Sequence, residues 1–218
     1  MKVTFLGHSA VKLDGSSIIY IDPFLSGNPL ATVSVDQIDK ADYVFVTHDH
    51  DDHKGDAFAI CKNTNATLVS IHETAVEAEN MGIKAEGMNI GGTIRFNNLN
   101  INMVNAQHSS ATGHQCGVVI EMDDFVIYHP GDTGLFGDMC LIGEFFAIDL
   151  AFLPIGDRYT MGIPSAVKAV EFLKPKRVIP MHYNTFPIIE ADPEEFKNAV
   201  GNLSEVLIIK PGNTFNLA

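Results

Sequence analysis

Short runs of apolar, β-branched and aromatic residues recur along the chain, and turn residues bound most of them. Runs of this length and composition predict strands. Asp14-Gly15, Asn97-Asn98 and Asp123-Asp124 stand between neighbouring runs, where a tight hairpin turn is expected. The first two-thirds of the chain should therefore be rich in antiparallel sheet. The predicted strands cover residues 2–6, 11–13, 17–21, 43–46, 67–71, 93–96, 101–104, 118–122, 125–129, 149–153, 177–181 and 206–209.

Segments with helical periodicity alternate with these strands. They cover residues 53–61, 73–81, 164–173 and 192–200, and Asp192 followed by Pro193 is typical of a helix start. No repeat, linker or low-complexity stretch divides the chain. The pattern predicts one domain, residues 1–218, in which helices flank two sheets.

Composition excludes several classes of protein. The chain has 218 residues, of which 46% are hydrophobic, so it can bury a full core. A net charge of −13 disfavours nonspecific binding to nucleic acid, which needs clustered basic residues. The most apolar segment, 145–156, is too short to cross a bilayer and contains Asp149. The start lacks the apolar stretch of a signal peptide, and three scattered cysteines predict no disulfide framework, so we expect a cytoplasmic protein without membrane contact.

The most specific chemical signal is the cluster HDHDDH, residues 48–53, directly behind the predicted strand 43–46. Adjacent side chains diverge, so His48 and His50 can converge on one ion while Asp52 and His53 reach toward a second. A solvated acidic loop that happens to contain histidines is the alternative. The density of imidazole and carboxylate groups favours metal binding.

One loop cannot supply all the ligands of two ions, so further donors should follow other strands. Three residues do so: His108, Asp132 in the sequence GDTG, and His182 in the sequence PMHYN. A lone histidine or aspartate after a strand is usually a surface or turn residue. Together with the cluster at 48–53, however, these three predict one shared metal centre.

These motifs, in this order, resemble the five motifs of the metallo-β-lactamase superfamily. The early sequences GHSAVKL and IDPFLSG, with His8 and Asp22, resemble more narrowly a branch of largely uncharacterised metal-dependent hydrolases related to ascorbate-phosphate lactonase. The resemblance spans nearly the whole chain. It implies an α/β fold, the four-layer αββα sandwich, with a binuclear metal site along one edge.

The resemblance also implies a division of the ligands. His48, His50 and His108 would bind one ion, Asp52, His53 and His182 the other, and Asp132 would bridge them. Nitrogen and carboxylate donors suit zinc, our first choice, or manganese or iron. We expect a bridging hydroxide to attack a carbonyl or phosphoryl centre of a small, anionic substrate such as a lactone or phosphoester, with Asp52 and Asp132 as catalytic residues.

A second set of residues is predicted to support the ligands or contact the substrate. His8 and Asp22 follow early strands, Thr47 precedes the cluster, and Tyr183 follows His182. The loop 155–162 adds Asp157 and Arg158, of which the arginine could pair with an anion. Each of these residues could instead serve only a turn or the surface. No role is assigned to three other histidines: His72, His114 and His129.

Three functions are compatible with this reading. A small-molecule hydrolase fits the complete ligand set best. A nuclease acting on RNA or single-stranded DNA would use the same centre, but the acidic chain leaves little room for an RNA-binding arm. A noncatalytic metal-binding module would be expected to have lost ligands. The sequence fixes neither the substrate nor a homo-oligomeric state.

Overall fold

Two seven-stranded sheets pack face to face in the computed structural model, which describes all 218 residues. The first sheet has the strand order β14-β1-β2-β3-β4-β5-β6, and the second has the order β13-β12-β11-β10-β9-β8-β7. The strands are β1 (Lys2–Gly7), β2 (Ala10–Asp14), β3 (Ile18–Ile21), β4 (Tyr43–Val46), β5 (Thr67–Ile71), β6 (Ala85–Met88), β7 (Thr93–Phe96), β8 (Leu99–Asn105), β9 (Cys116–Met122), β10 (Phe125–His129), β11 (Leu150–Pro154), β12 (Arg177–Met181), β13 (Glu205–Val206) and β14 (Thr214–Asn216).

Helices cover the outer faces of both sheets. They are α1 (Asp51–Lys54), α2 (Ala57–Thr64), α3 (His72–Asn80), α4 (Met139–Phe145), α5 (Ile163–Leu173) and α6 (Pro193–Val200), with short 3₁₀ helices at Val35–Gln37 and Pro187–Ile189. None is long and apolar enough to cross a membrane.

The core consists of three apolar layers. The central layer holds 23 buried residues from the facing sides of the two sheets, including Phe45 and Phe152. The second lies between the first sheet and α2 and α3, and the third lies between the second sheet and α4, α5 and α6. The predicted four-layer αββα sandwich is therefore confirmed.

The sheets are mixed, so the prediction of antiparallel pairing is right only in part. Strands β1–β3 and β7–β10 pair antiparallel, and hairpins connect β7 to β8 and β9 to β10 as predicted. Strands β3 to β6 instead run parallel. The connections are the reason, because the long segment 22–42 returns the chain between β3 and β4, and helices α2 and α3 return it before β5 and β6.

Several predicted boundaries were wrong. The helix predicted at 53–61 is interrupted at Gly55, because its φ of +39° is not helical. Only glycine fits there, since an added Cβ would stand 2.8 Å from the backbone of Phe24. The strand predicted at 206–209 is paired only over Glu205–Val206. Strands β6 and β14 and helix α4 were missed. They are short elements at a sheet edge or on the surface, with little periodicity of their own.

Candidate metal centre

The predicted ligands all follow strands that end at one edge of the sandwich. Within each sheet these strands run in the same direction, so their carboxyl ends lie together. Crevices beyond such strand ends are common ligand sites in α/β proteins. The residues that follow them are His8 after β1, Asp22 after β3, Thr47 to His53 after β4, His108 after β8, Asp132 after β10 and His182 after β12.

Three of these residues have a left-handed backbone directly after their strand. The φ angles are 59° at His8, 46° at Asp22 and 52° at His182. Residues other than glycine adopt this conformation at a cost in free energy, and such positions cluster at functional sites. Here the bend turns each side chain from the end of its strand toward the other loops.

The first group of donors is His48, His50 and His108, whose ligand atoms all lie within 4.8 Å of one another. Nε2 of His48 is 3.0 Å from Nδ1 of His50. Burial lowers the pKa of His48 to about 3 and also lowers that of His108. Both imidazoles are therefore neutral near pH 7, which is the form that binds metal ions.

The second group contains Asp52, His53 and His182, and the structure adds His8 to it. Asp132 lies between the two groups. Its Oδ1 is 3.1 Å from Nε2 of His53, and its Oδ2 is 3.1 Å from Nε2 of His182 and 3.5 Å from Nε2 of His108. One carboxylate thus reaches donors on both sides of the centre.

The donor atoms around Asp132 fit a metal ion better than they fit one another. Nε2 of His53, Nε2 of His182 and Oδ1 of Asp132 are buried and make no hydrogen bond. Each of the two nitrogens nevertheless lies 3.1 Å from an oxygen of the Asp132 carboxylate. Ligands placed tetrahedrally around zinc, at its usual bond length, would be about 3.3 Å apart. Buried polar atoms without partners are rare, so this arrangement indicates that these atoms are placed to bind one metal ion.

The charges of the side chains in the centre also indicate metal binding. Asp22, Asp52 and Asp132 form ion pairs only with histidines, because no lysine or arginine lies within reach. Burial raises the pKa of Asp132, but the neighbouring His53 and His182 outweigh that effect and hold it well below its usual range. Burial lowers the pKa of His53, whereas the carboxylates on both its nitrogens raise it well above its usual value. Two buried carboxylates, Asp22 and Asp132, and the partly exposed Asp52 therefore require cationic partners, which metal ions would supply.

Hydrogen bonds to Asp22 and Thr47 fix the orientation of two histidines, His53 and His48. The backbone N–H and the hydroxyl of Thr47 both donate to the carboxylate of Asp22, at 2.8 and 2.7 Å. Because the hydroxyl proton is used there, the threonine oxygen accepts from Nδ1 of His48 at 3.0 Å. Nε2 of His48 is thereby left bare and faces the centre. Such outer hydrogen bonds set the tautomer of metal-binding histidines.

His8 supports the second group. Its Nε2 lies 3.1 Å from Oδ2 of Asp52, its Nδ1 lies 2.8 Å from the hydroxyl of Thr185, and its carbonyl accepts the N–H of His182. Burial lowers the pKa of His8 to about 4 despite the carboxylate. Thr185 was not predicted as a site residue, and nothing in the local sequence distinguishes it from an ordinary loop threonine.

Three predicted site residues have no contact with the centre. Asp157 and Arg158 are exposed at the tip of their loop and do not line the cleft, whereas their neighbour Tyr159 does. Tyr183 packs against the apolar layer beneath α5 and α6. The substrate roles suggested for Asp157, Arg158 and Tyr183 remain predictions without a contact in the structure.

The three histidines without an assigned role lie outside the donor groups. His72 and His114 are exposed. His129 is buried, and its Nε2 donates to the carbonyl of Ser9 while its Nδ1 accepts from the N–H of Gly131. His129 therefore helps to hold the loop that carries Asp132.

Asp49 is a residue that sequence reasoning passed over. Its carboxylate accepts four hydrogen bonds, from the hydroxyls of Ser110 and Thr112 and from the N–H groups of Ala111 and Thr112. Burial raises its pKa, but these hydrogen bonds outweigh that effect and lower it to about 2. Asp49 thus anchors the loop behind His108 to the cluster at 48–53. The sequence shows that acidic residues are crowded at 48–53, but it does not show which hydrogen-bond partners each of them has.

Comparison with known proteins identifies the family. A family model described as a β-lactamase superfamily domain matches residues 18–183, which include all the donors except His8. The chain belongs to this superfamily. Within it the chain belongs to the UPF0173 metal-dependent hydrolases: the relative from Pelotomaculum thermopropionicum is 50% identical over 100% of both chains, and that from Archaeoglobus fulgidus is 48% identical over 99% of this chain and 98% of its own.

A solved structure shares the whole fold. Igni18, described as a novel metallo hydrolase from Ignicoccus hospitalis, superposes with a TM-score of 0.94 at 42% identity, over 100% of this chain and 99% of its own. The family and the fold predicted from the motifs are both confirmed.

Proposed function

We propose that this protein is a hydrolase that holds two divalent metal ions at this edge of the sandwich. His48, His50 and His108 would hold one ion, Asp52, His53 and His182 the other, and Asp132 would contact both. The observation that carries the proposal is the set of buried donors around Asp132 that lack hydrogen bonds. Imidazole and carboxylate donors favour zinc, with manganese or iron as alternatives.

Two such ions, when bound by these donors, would supply a hydroxide at neutral pH and would polarise the oxygen of a carbonyl or phosphoryl group. The chain supplies the positioning. Asp52 lines the cleft, and His8 holds its Oδ2, which leaves its Oδ1 to orient an attacking water. Asp22 and Thr47 hold His53 and His48 with their metal-binding nitrogens facing inward.

The cleft above these donors is suited to a small-molecule substrate. Its volume is about 480 Å³, and it is lined by His50, Asp52, His108, Ser109, Asp132, Tyr159, His182, Phe186, Ile188 and Ile189. Pockets of this size usually enclose most of a small ligand.

Elemental analysis tests the proposal together with activity. We expect about two metal ions per chain, loss of hydrolysis on chelation, and recovery on reloading with zinc, manganese or iron. Asp132→Ala should lose ions and activity together, whereas Asp39→Ala, an exposed aspartate outside the centre, should lose neither. No bound metal under any loading would overturn the ligand assignment. Cleavage of RNA or single-stranded DNA at physiological salt, without cleavage of small substrates, would favour the nuclease.

A further inference from the structure

One wall of the cleft is apolar. Phe186, Ile188 and Ile189 come from the segment that follows His182, and Tyr159 stands on the loop after β11. Phe186 is 37% exposed, Ile188 is 48% exposed and Tyr159 is 53% exposed. The apolar groups that solvent reaches are therefore placed directly beside the donors, where a bound substrate would cover them.

Hydrogen bonds within the chain hold the segment 184–191 of this wall in place. The N–H of Asn184 donates to the carbonyl of Ile189, and the N–H of Ile189 donates to the carbonyl of Phe186. The side-chain oxygen of Asn184 accepts from the N–H of Ala191. The hydroxyl of Thr185 is bonded to His8. Because the wall is already ordered, substrate binding loses no further entropy in ordering it, and this favours affinity.

The charge of the cleft limits what lies against the wall. No lysine or arginine is among the lining residues, and the guanidinium of Arg158 lies over the ring of Tyr159 at 6.0 Å without lining the cleft. A phosphoryl group carries several charged oxygens, and kinases and NTPases neutralise them with basic side chains in addition to metal ions. An acyl group needs stabilisation at only one developing oxyanion. The cleft therefore favours a carbonyl centre over a phosphoryl centre.

We infer that the substrate is an ester, lactone or thioester of a carboxylic acid whose apolar acyl group lies against Phe186 and Ile188. This inference rests on the proposed function, because it takes the metal centre as the place of reaction. Water adds its hydroxyl to the acyl carbon, the bond from that carbon to oxygen or sulfur breaks, and the remaining proton goes to the leaving alcohol or thiol. The apolar wall sets which acyl groups are accepted.

The first test measures hydrolysis as a function of acyl length. With the metal-loaded protein, kcat/KM for p-nitrophenyl acetate, butyrate and hexanoate should rise about two- to fourfold per methylene, since each added methylene is removed from water. Phe186→Ala and Ile188→Ala should flatten this dependence, chiefly through KM, while their metal content stays that of the unsubstituted protein. Phe145→Ala removes a more exposed ring that does not line the cleft and should keep the full dependence. Faster cleavage of p-nitrophenyl phosphate, or no dependence on acyl length, would overturn the inference.

The second test does not depend on turnover. Butanoate, hexanoate and octanoate resemble the acid product, and calorimetric titration into the metal-loaded protein should show affinity that increases with chain length. Phe186→Ala should remove the increase, and Phe145→Ala should not. An increase with chain length in a protein that cleaves no ester would support the apolar site and overturn the hydrolase. Equal affinities for the three acids, in a protein that cleaves esters, would support the hydrolase and overturn the apolar acyl site.

Discussion

Oδ2 of Asp22 lies 2.7 Å from Nδ1 of His53, and both side chains are completely buried. A carboxylate at this position holds the proton on Nδ1 and leaves Nε2 to face Asp132. Asp22 therefore acts on the centre through two residues. It orients the ring of His53, and it also accepts hydrogen bonds from the N–H and the hydroxyl of Thr47.

Asp22→Asn should weaken metal binding without removing a ligand. The amide cannot accept from the same three donors, so we expect zinc affinity to fall by about 10- to 100-fold, and the free energy of unfolding to fall by about 1–3 kcal/mol. Competition with a chromogenic chelator measures the first quantity, and urea unfolding measures the second. Asp42→Asn is the matched control, because Asp42 also accepts a backbone N–H, that of Ile18, but lies away from the centre. Equal effects of the two substitutions would remove the special role of Asp22.

Removing the metal should lower thermal stability. Ions present at about 100 times their dissociation constant stabilise the folded chain by about 2.7 kcal/mol, which corresponds to a melting temperature higher by roughly 5–10 °C. Calorimetry before chelation, after chelation and after reloading measures the difference. Asp132→Asn should melt at the same temperature with and without added zinc, and Asp39→Asn should retain the shift. If the chelated protein has the same melting temperature as the loaded protein, the claim that the buried carboxylates need bound cations would be contradicted.

Asp49→Ala should loosen the loop that follows His108. Four hydrogen bonds to Ser110, Ala111 and Thr112 disappear together, so amide hydrogen exchange over residues 108–114 should speed up, and turnover should fall by about tenfold. Exchange followed by mass spectrometry gives the local readout. Asp51→Ala alters an exposed aspartate two positions away and should leave exchange in that loop unchanged.

Gly131→Ala should disturb the loop that carries Asp132. Gly131 has a φ of +60°, and an added Cβ would stand 2.6 Å from Oγ1 of Thr47. We expect a loss of about 1–3 kcal/mol in the free energy of unfolding, together with weaker metal binding. Gly137→Ala is the control, because φ there is not positive and nothing lies within 4 Å of the added atom. A fully stable Gly131→Ala protein with normal metal content would show that the two loops can separate freely.

The cysteines should differ in reactivity. Burial raises the pKa of Cys61 to about 12, so at pH 8 its thiol stays protonated and is a poor nucleophile. Cys116 is likewise buried with a raised pKa, whereas Cys140 is only partly buried. Iodoacetamide at pH 8 should label Cys140 first, and the other two should react only when urea unfolds the chain. Mass spectrometry of the labelled peptides gives the order, and early labelling of Cys61 would contradict its burial.

The sequence alone determined the layers of the fold and the donor types of the centre. Strand periodicity and helix signals are local properties, so strands such as Tyr43–Val46 and Arg177–Met181 were predicted with their observed bounds. The cluster at 48–53 is local too, and the strand ends before His108, Asp132 and His182 marked the distant donors. Parallel pairing of β3 to β6 was not visible, because it depends on how the connecting segments return the chain rather than on any one strand.

Tertiary structure decided which side chains act on one another. Asp49 and Ser110 are far apart in sequence, as are His8 and Thr185, and only the meeting of loops from different strands brings each pair together. The same applies to the apolar wall: Phe186 and Ile188 resemble any exposed hydrophobic residues until the loop places them beside Asp52 and His182. Residue type and local spacing thus determine what chemistry the chain can support. Long-range packing determines which donors lie together and which groups line the cleft beside them, because loops from both sheets form the centre and the cleft above it.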